Sequence, residues 1–303
     1  MTEAVEIRIP VPWGHISGKQ SGLQGGPIVL CLHGLQDNAG TFDRLIPLLP
    51  KNFQYIAIDM PGHGKSSHFD RGVPLVYMNY VFSIKLIVDY YKWNKIILLS
   101  HSFGAQISII FAGLYPEFCE KIVLLDGLTT MLVKDRSIVK HYRRHFDEMQ
   151  EVENLLNSKE PPSHSYEQAL NRFINNRFSP ISKESAKILM KRSLVKSGDG
   201  YRFSTDQRLK KLFRYPLNQE QFTTILENIR CPCFLIIAKD TFNLMLSRFE
   251  GDYNAYLKRL DLAQLLPNFT FKIVDGAHDV HLDNAPLVAD NVTGFLLFSK
   301  SSM

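Results

Sequence analysis

Six short apolar runs limit what this chain can become: "PIVLCLHG" (27–34), "FQYIAIDM" (53–60), "KIILLSHS" (95–102), "KIVLLDG" (121–127), "CFLIIAKD" (233–240) and "FTFKIVDG" (269–276). Each is rich in β-branched residues and apolar at successive positions. A strand of that kind needs cover on both faces, as in a parallel sheet flanked by helices. Helix-period patterns fill most of the gaps, notably at 75–93, 104–115 and 285–299. Strand alternating with helix is the signature of a doubly wound α/β sheet. The opening "VEIRIPV" and "GHISGKQ" alternate more strictly and predict an antiparallel pair at one edge.

The rhythm breaks once, between 128 and 230. That stretch is polar and helical in pattern ("DEMQEVENLLNS", "SYEQALNRFINN", "SKESAKILMKRSL"), with turn signals at Pro161-Pro162 and Gly198-Asp199-Gly200. It predicts a helical cap inserted over the strand ends, with 1–127 and 231–303 forming the core domain. A chain of 303 residues has room for one α/β domain carrying such an insertion.

Composition removes other classes. Basic residues are denser in Lys134–Arg144 and Arg208–Arg214 but lack the aromatic interleaving of a nucleic-acid groove, so they read as solvated faces and no nucleic-acid partner is expected. Cys31, Cys119, Cys231 and Cys233 lack metal-ligand spacing and read as reduced thiols of an intracellular protein. The opening "MTEAVEIRIPVPWGHISGKQ" has no apolar core of a leader, and no stretch reaches the length of a membrane span. The expected location is the cytoplasm. Ser301-Ser302-Met303 is a partial match to the peroxisomal S-K-L address, without its basic middle residue.

The chemistry collects at the ends of the runs, where the loops of such a sheet converge on one crevice. His33-Gly34, Asp59, Ser102, Asp126, Asp240 and His278 stand there in order. "IILLSHSFGAQ" sets Ser102 between two small residues, Ser100 and Gly104, the spacing of a sharp strand-to-helix turn that exposes a serine. A serine hydroxyl is a poor nucleophile until an imidazole takes its proton, and the imidazole needs an acid on its other nitrogen. His278 in "DGAHDVH" is the candidate base, and His281 is its rival, read as a packing residue. The acid is Asp240, at the end of the fifth run, or alternatively Asp126, at the end of the fourth. His33 is read as holding its loop by hydrogen bonds, His101 as facing into the structure, and Asp59 with Gly62 and Gly64 as structural.

Taken with "LHGLQDNAGTFDRLIPLLP", "DMPGHGKSSH", "TDQRLKK" and "GAHDVHLDNAPLVADNVTGFL", these segments resemble the α/β-hydrolases and, within them, the serine hydrolase-like proteins of the kraken type. The resemblance implies an α/β-hydrolase fold with a cap, and serine-dependent hydrolysis through a Ser-His-Asp triad and an acyl-enzyme. It implies no cofactor and no metal, and an oxyanion hole made by the amides of Leu35 and Phe103. Serine at the turn, where dehalogenase and epoxide-hydrolase relatives carry aspartate, argues against alkyl-enzyme chemistry. The expected activity is that of a carboxylesterase-like enzyme on carboxylic esters or thioesters, with an apolar small-molecule acyl substrate. The alternative is a hydrolase-fold small-molecule binding protein or receptor with vestigial turnover. Met131, Leu132, Phe146, Leu155, Leu156, Phe173 and Phe178 are candidates to line an acyl pocket or to form the cap's own core. Arg143 and Arg144 either attract an anionic substrate or belong to a solvated face.

Overall fold

The computed structural model describes residues 4–128, 137–213, 217–248 and 265–298. Met131, Leu132 and Ser301–Met303 lie outside the described residues. All six apolar runs are strands of one sheet. In chain order the strands are β1 (Val5–Val11), β2 (Gly14–Gly22), β3 (Ile28–Leu32), β4 (Gln54–Ile58), β5 (Ile96–His101), β6 (Cys119–Leu125), β9 (Cys233–Ala238) and β10 (Thr270–Val274). Their spatial order is β1-β2-β4-β3-β5-β6-β9-β10. The β1–β2 and β2–β4 pairs are antiparallel, and every other pair is parallel.

Alternation along the strands explains the two apolar layers, because successive side chains point to opposite faces. Leu30, Leu98, Leu124 and Leu235 join one buried cluster with α1 (Tyr77–Tyr91) and α2 (Phe103–Leu114). Val29, Leu99, Val123 and Ile236 join the other, with Phe42 and Leu45 of the 33–49 loop and with α8 (Pro286–Leu297). Every residue of β5 and β9 is buried, as their unbroken apolar runs require. β10 differs: its first four residues are exposed, since a strand with one neighbour has less to cover it.

Between β6 and β9 the described chain adds no strand to the main sheet. It supplies α3 (Ile138–Ser158), α4 (Tyr166–Asn175), α5 (Lys183–Ser193) and a two-stranded hairpin, β7 (Leu194–Ser197) with β8 (Gly200–Phe203). The Gly198-Asp199 turn makes that hairpin inside a stretch whose pattern reads as helical. Ser165 caps α4 in a capping box with Gln168, and Ser182 caps α5. Ala169, Leu170, Phe173, Leu189 and Met190 form a small core of their own, which meets the sheet domain at Leu282.

The insertion was expected to run to 230, and its last helix packs differently. α6 (Gln219–Glu227) lies on α2, with Phe222 and Leu226 in the same cluster as Leu98 and Ile110. Polarity of pattern did not reveal this, because an amphipathic helix reads alike on either body. Leu209 also joins that cluster and the Phe213 amide donates to the Leu75 carbonyl, so residues 137–213 rejoin the sheet domain at their C-terminal end. They are held down by buried charge. The Arg192 guanidinium of α5 donates to both oxygens of buried Asp59 at 2.7–3.1 Å, and to Glu6. Arg208 is likewise buried, on Asp206 and the Phe69 carbonyl, rather than on the solvated face expected of it.

Candidate active site

β5 ends at His101, and α2 begins at Phe103, so the chain turns through one residue. That residue is Ser102, at φ 49° and ψ −109°, a region an L-residue occupies only when its surroundings force it. The turn needs close backbone approach on two sides. A Cβ at Gly104 would fall 2.3 Å from the Leu32 carbonyl oxygen, and one at Gly127 would fall 2.5 Å from that of Ser102. Ser100 takes the place of the usual first glycine, and its buried hydroxyl is matched by Ser108 Oγ at 2.5 Å.

His278 follows β10 and faces this turn. Its Nε2 lies 2.9 Å from Ser102 Oγ, and its Nδ1 lies 2.6 Å from Asp126 Oδ2. An ionised carboxylate only accepts, so the proton sits on Nδ1 and Nε2 is free to accept from the serine. Asp126 itself is fixed from three directions. The Ala238 amide donates to Oδ1 at 2.8 Å, and Thr241 Oγ1 donates to the same Oδ2 at 2.6 Å. Burial lowers the proton affinity of His278, but the hydrogen bond and charge of Asp126 outweigh it, and the net shift is upward.

Ser102, His278 and Asp126 therefore come together, and Asp240 does not join them. β9 runs straight into α7 (Lys239–Arg248), which leaves Asp240 exposed in the first turn with its amide donating to the Gly276 carbonyl. What β9 offers instead is the Ala238 amide and, three residues on, Thr241. Both serve Asp126.

Four histidines near this group, His33, His63, His101 and His281, are buried, and burial favours their neutral form. His33 donates from Nδ1 to the Gly34 carbonyl and accepts from the Met60 amide at Nε2, which ties its loop to β4 as expected. Burial holds it down at about 4. His63, which the sequence reading passed over, accepts from the Gln36 amide and so secures a residue at φ 63°. His281 shares a hydrogen bond with Thr41, and burial holds it at about 4. His101 lies between His281 and His278, its ring tilted to both, and donates from Nε2 to the His278 carbonyl at 3.1 Å. It supports the histidine opposite Ser102.

Three further residues lie beside this group. Arg177, from the loop after α4, donates to Asp279 at 2.8 Å and to both oxygens of Asp37 at 3.3–3.4 Å. Both carboxylates are almost wholly buried. Burial lifts Asp37 to about 6, with Arg177 opposing the shift. Asp37, His101 and Asp279 bring potential ligand atoms within 4.8 Å of one another, yet the Arg177 guanidinium fills the place between the two acids. That set is built for a guanidinium rather than a metal ion. Arg177 also delivers Phe178, whose ring centroid lies 4.8 Å from that of His278.

A cavity of about 880 Å³ opens over Ser102 and His278. Leu35 of the 33–42 loop lines it, together with Gln106, Leu128 and Phe173. The amides of Leu35 and Phe103 make no hydrogen bond among the described residues. Of the apolar residues named from sequence, Phe173 and Phe178 line the cavity, whereas Phe146 and Leu155 are exposed on α3. Arg143 and Arg144 also lie on α3, away from the cavity lining, with Arg144 paired to Glu148.

The strand order and the serine turn define the class of α/β hydrolases, and comparison with known proteins agrees. The family model described as "alpha/beta hydrolase fold" matches residues 27–151. The chain is 33% identical to a serine hydrolase-like protein of Danio rerio over 97% of its own length and 88% of the relative's. It is 34% identical to serine hydrolase-like protein 2 of Homo sapiens over 96% and 93%. A hypothetical protein from Pseudomonas aeruginosa shares the fold with a TM-score of 0.83 at 28% identity, over 97% of this chain and 99% of that one. A thioesterase domain from the curacin biosynthetic pathway shares the fold alone, with a TM-score of 0.76 at 19% identity over 96% and 99%. The chain belongs to the α/β-hydrolase family, among the serine hydrolase-like proteins. No helix among the described residues is long and apolar enough to cross a membrane.

Proposed function

We propose that this protein is a serine hydrolase that cleaves carboxylic esters or thioesters through an acyl-enzyme. The observation that carries the reading is the unbroken relay from Ser102 Oγ through His278 to Asp126, at 2.9 and 2.6 Å, with the serine held in a strained turn. Ser102 Oγ attacks the acyl carbonyl as His278 Nε2 takes its proton, and Asp126 stabilises the imidazolium and holds its tautomer. The tetrahedral oxyanion accepts from the amides of Leu35 and Phe103. The Phe103 amide also stands at the first turn of α2, where the helix dipole favours negative charge. His278 then returns the proton to the departing alcohol or thiol. A water molecule, deprotonated by the same nitrogen, releases the acid.

Residues 137–213 act in this reading as a cap over the strand ends. Arg177 and Phe178 bring it against the histidine, and its Phe173 and Phe203 supply apolar wall to the cavity. Steady turnover of an acyl p-nitrophenyl ester and of an acyl thioester tests the proposal. Ser102→Ala should lower kcat by roughly 10⁴-fold or more. Turnover undiminished by that change would overturn the assignment, and a ligand bound tightly without turnover would make the fold a receptor instead.

A further inference from the structure

We propose that the substrate carries an anionic group, a carboxylate or a phosphate, which Arg172 and Lys210 bind at the solvent side of the cavity while the scissile carbonyl lies at Ser102. This rests on the hydrolase reading and narrows it.

The charges lining the cavity are sorted by depth. Its three acids, Asp37, Asp126 and Asp279, are buried, and each is already engaged, the first and last by Arg177 and the second by His278 and Thr241. Arg172 and Lys210 also line the cavity, but they are exposed and have no carboxylate partner among the described residues. Arg208 and Lys211, beside Lys210 in the 207–211 turn, are paired with Asp206 and Glu148. Arg172 and Lys210 differ from the other cations of the insertion without a carboxylate partner in lining the cavity.

The field of Arg172 reaches into the lining, since it adds to burial in lowering the proton affinity of His164, another wall residue. Pro161, Phe173 and Phe203 supply apolar surface along the same wall. An occupant with an apolar span and a terminal anion satisfies both features, whereas a wholly apolar acyl chain leaves both cations unused.

Two matched pairs of substrates test this on the full chain. The p-nitrophenyl hemiester of adipic acid is set against p-nitrophenyl hexanoate, and a phosphopantetheine thioester against its N-acetylcysteamine counterpart. At low salt the anionic member of one pair should show about tenfold higher kcat/KM, chiefly through KM, and the ratio should shrink in about 0.5 M salt. The pair that shows it distinguishes a carboxylate on the acyl group from a phosphate on the leaving group. The Arg172→Ala/Lys210→Ala variant should bring the ratio to about one, and Arg172→Lys/Lys210→Arg should preserve it. Equal rates within both pairs, from a protein whose Ser102 accepts a fluorophosphonate, would overturn the proposal. Failure of the hydrolase reading is seen separately, as a Ser102 that is never labelled. Equilibrium binding of monomethyl adipate against methyl hexanoate then decides the charge preference: tighter binding of the acid, lost with both cations, upholds it, and equal binding overturns it.

Discussion

Asp126 Oδ2 lies 2.6 Å from His278 Nδ1, and the same oxygen accepts from Thr241. Asp240, the acid of the adjacent strand end, stands exposed two residues past β9. Asp126→Asn should therefore leave a folded protein with turnover reduced by up to about 10⁴-fold, because an amide favours the wrong imidazole tautomer. Asp240→Asn should change kcat less than about threefold. Kinetics on equal amounts of folded protein compares them, and the reverse ranking would move the role to Asp240.

The pH dependence of kcat/KM follows from the same pair. Only neutral His278 accepts the serine proton, and Asp126 raises the pH at which it becomes neutral, against the effect of burial. The acid limb should therefore have its midpoint above the ordinary histidine value of about 6.5. Residual activity of Asp126→Asn should show that limb moved to lower pH. A wild-type midpoint below about 6 would contradict the assignment of His278 as base.

Stability should depend on the histidines that do no chemistry. His33, His63, His101 and His281 are wholly buried, and burial lowers the proton affinity of each, His33 and His281 to about 4. The unfolded chain binds protons at about 6.5 that the folded one refuses, so stability is full above that pH and falls as the pH drops toward 4. Asp37, raised to about 6, acts in the opposite sense over the same window, as one group against four. Urea midpoints measured from pH 7 to pH 4 should fall steadily, and replacing His281 with Gln should flatten the slope.

Arg177 separates two buried carboxylates, so removing it leaves two like charges without a partner. Arg177→Met should destabilise by about 3–5 kcal/mol, as breaking a buried ion pair does. Adding Asp37→Asn and Asp279→Asn to it should recover a large part of the loss. Chemical denaturation of the single and triple variants checks this.

The turn at Ser102 stores strain that the reaction requires and stability does not. Ser102→Gly should be inactive yet more stable by about 1 kcal/mol, since glycine enters the left-handed region freely. A destabilised glycine variant would show that the serine hydroxyl contributes more to folding than its bond to His278 suggests.

The sheet was legible because β3, β4, β5, β6 and β9 are buried on both faces and so appear as unbroken apolar runs. Ser102 and His278 were legible because strand ends in such a sheet converge. The acid was not, since β6 and β9 are neighbours. Strands that lie about 4.8 Å apart bring the carboxylates at both their ends within reach of one imidazole. Only the immediate start of α7 after Ala238 turns Asp240 outward. Ser108, which accommodates the departure at Ser100, lies one helix further on and outside any local motif. Arg177 was hidden for a different reason. Its partners are 140 and 102 residues away, and nothing in a single sequence links an arginine after one helix to acids in two distant loops.

Nucleophilic attack by Ser102 is the step on which the proposed chemistry turns. The intact protein is treated with a fluorophosphonate at neutral pH and the adduct is located by peptide mass spectrometry. One adduct per chain, on Ser102, slowed at least about 10³-fold by His278→Ala, is the predicted result. An unlabelled Ser102, or an adduct on another residue, would contradict the account.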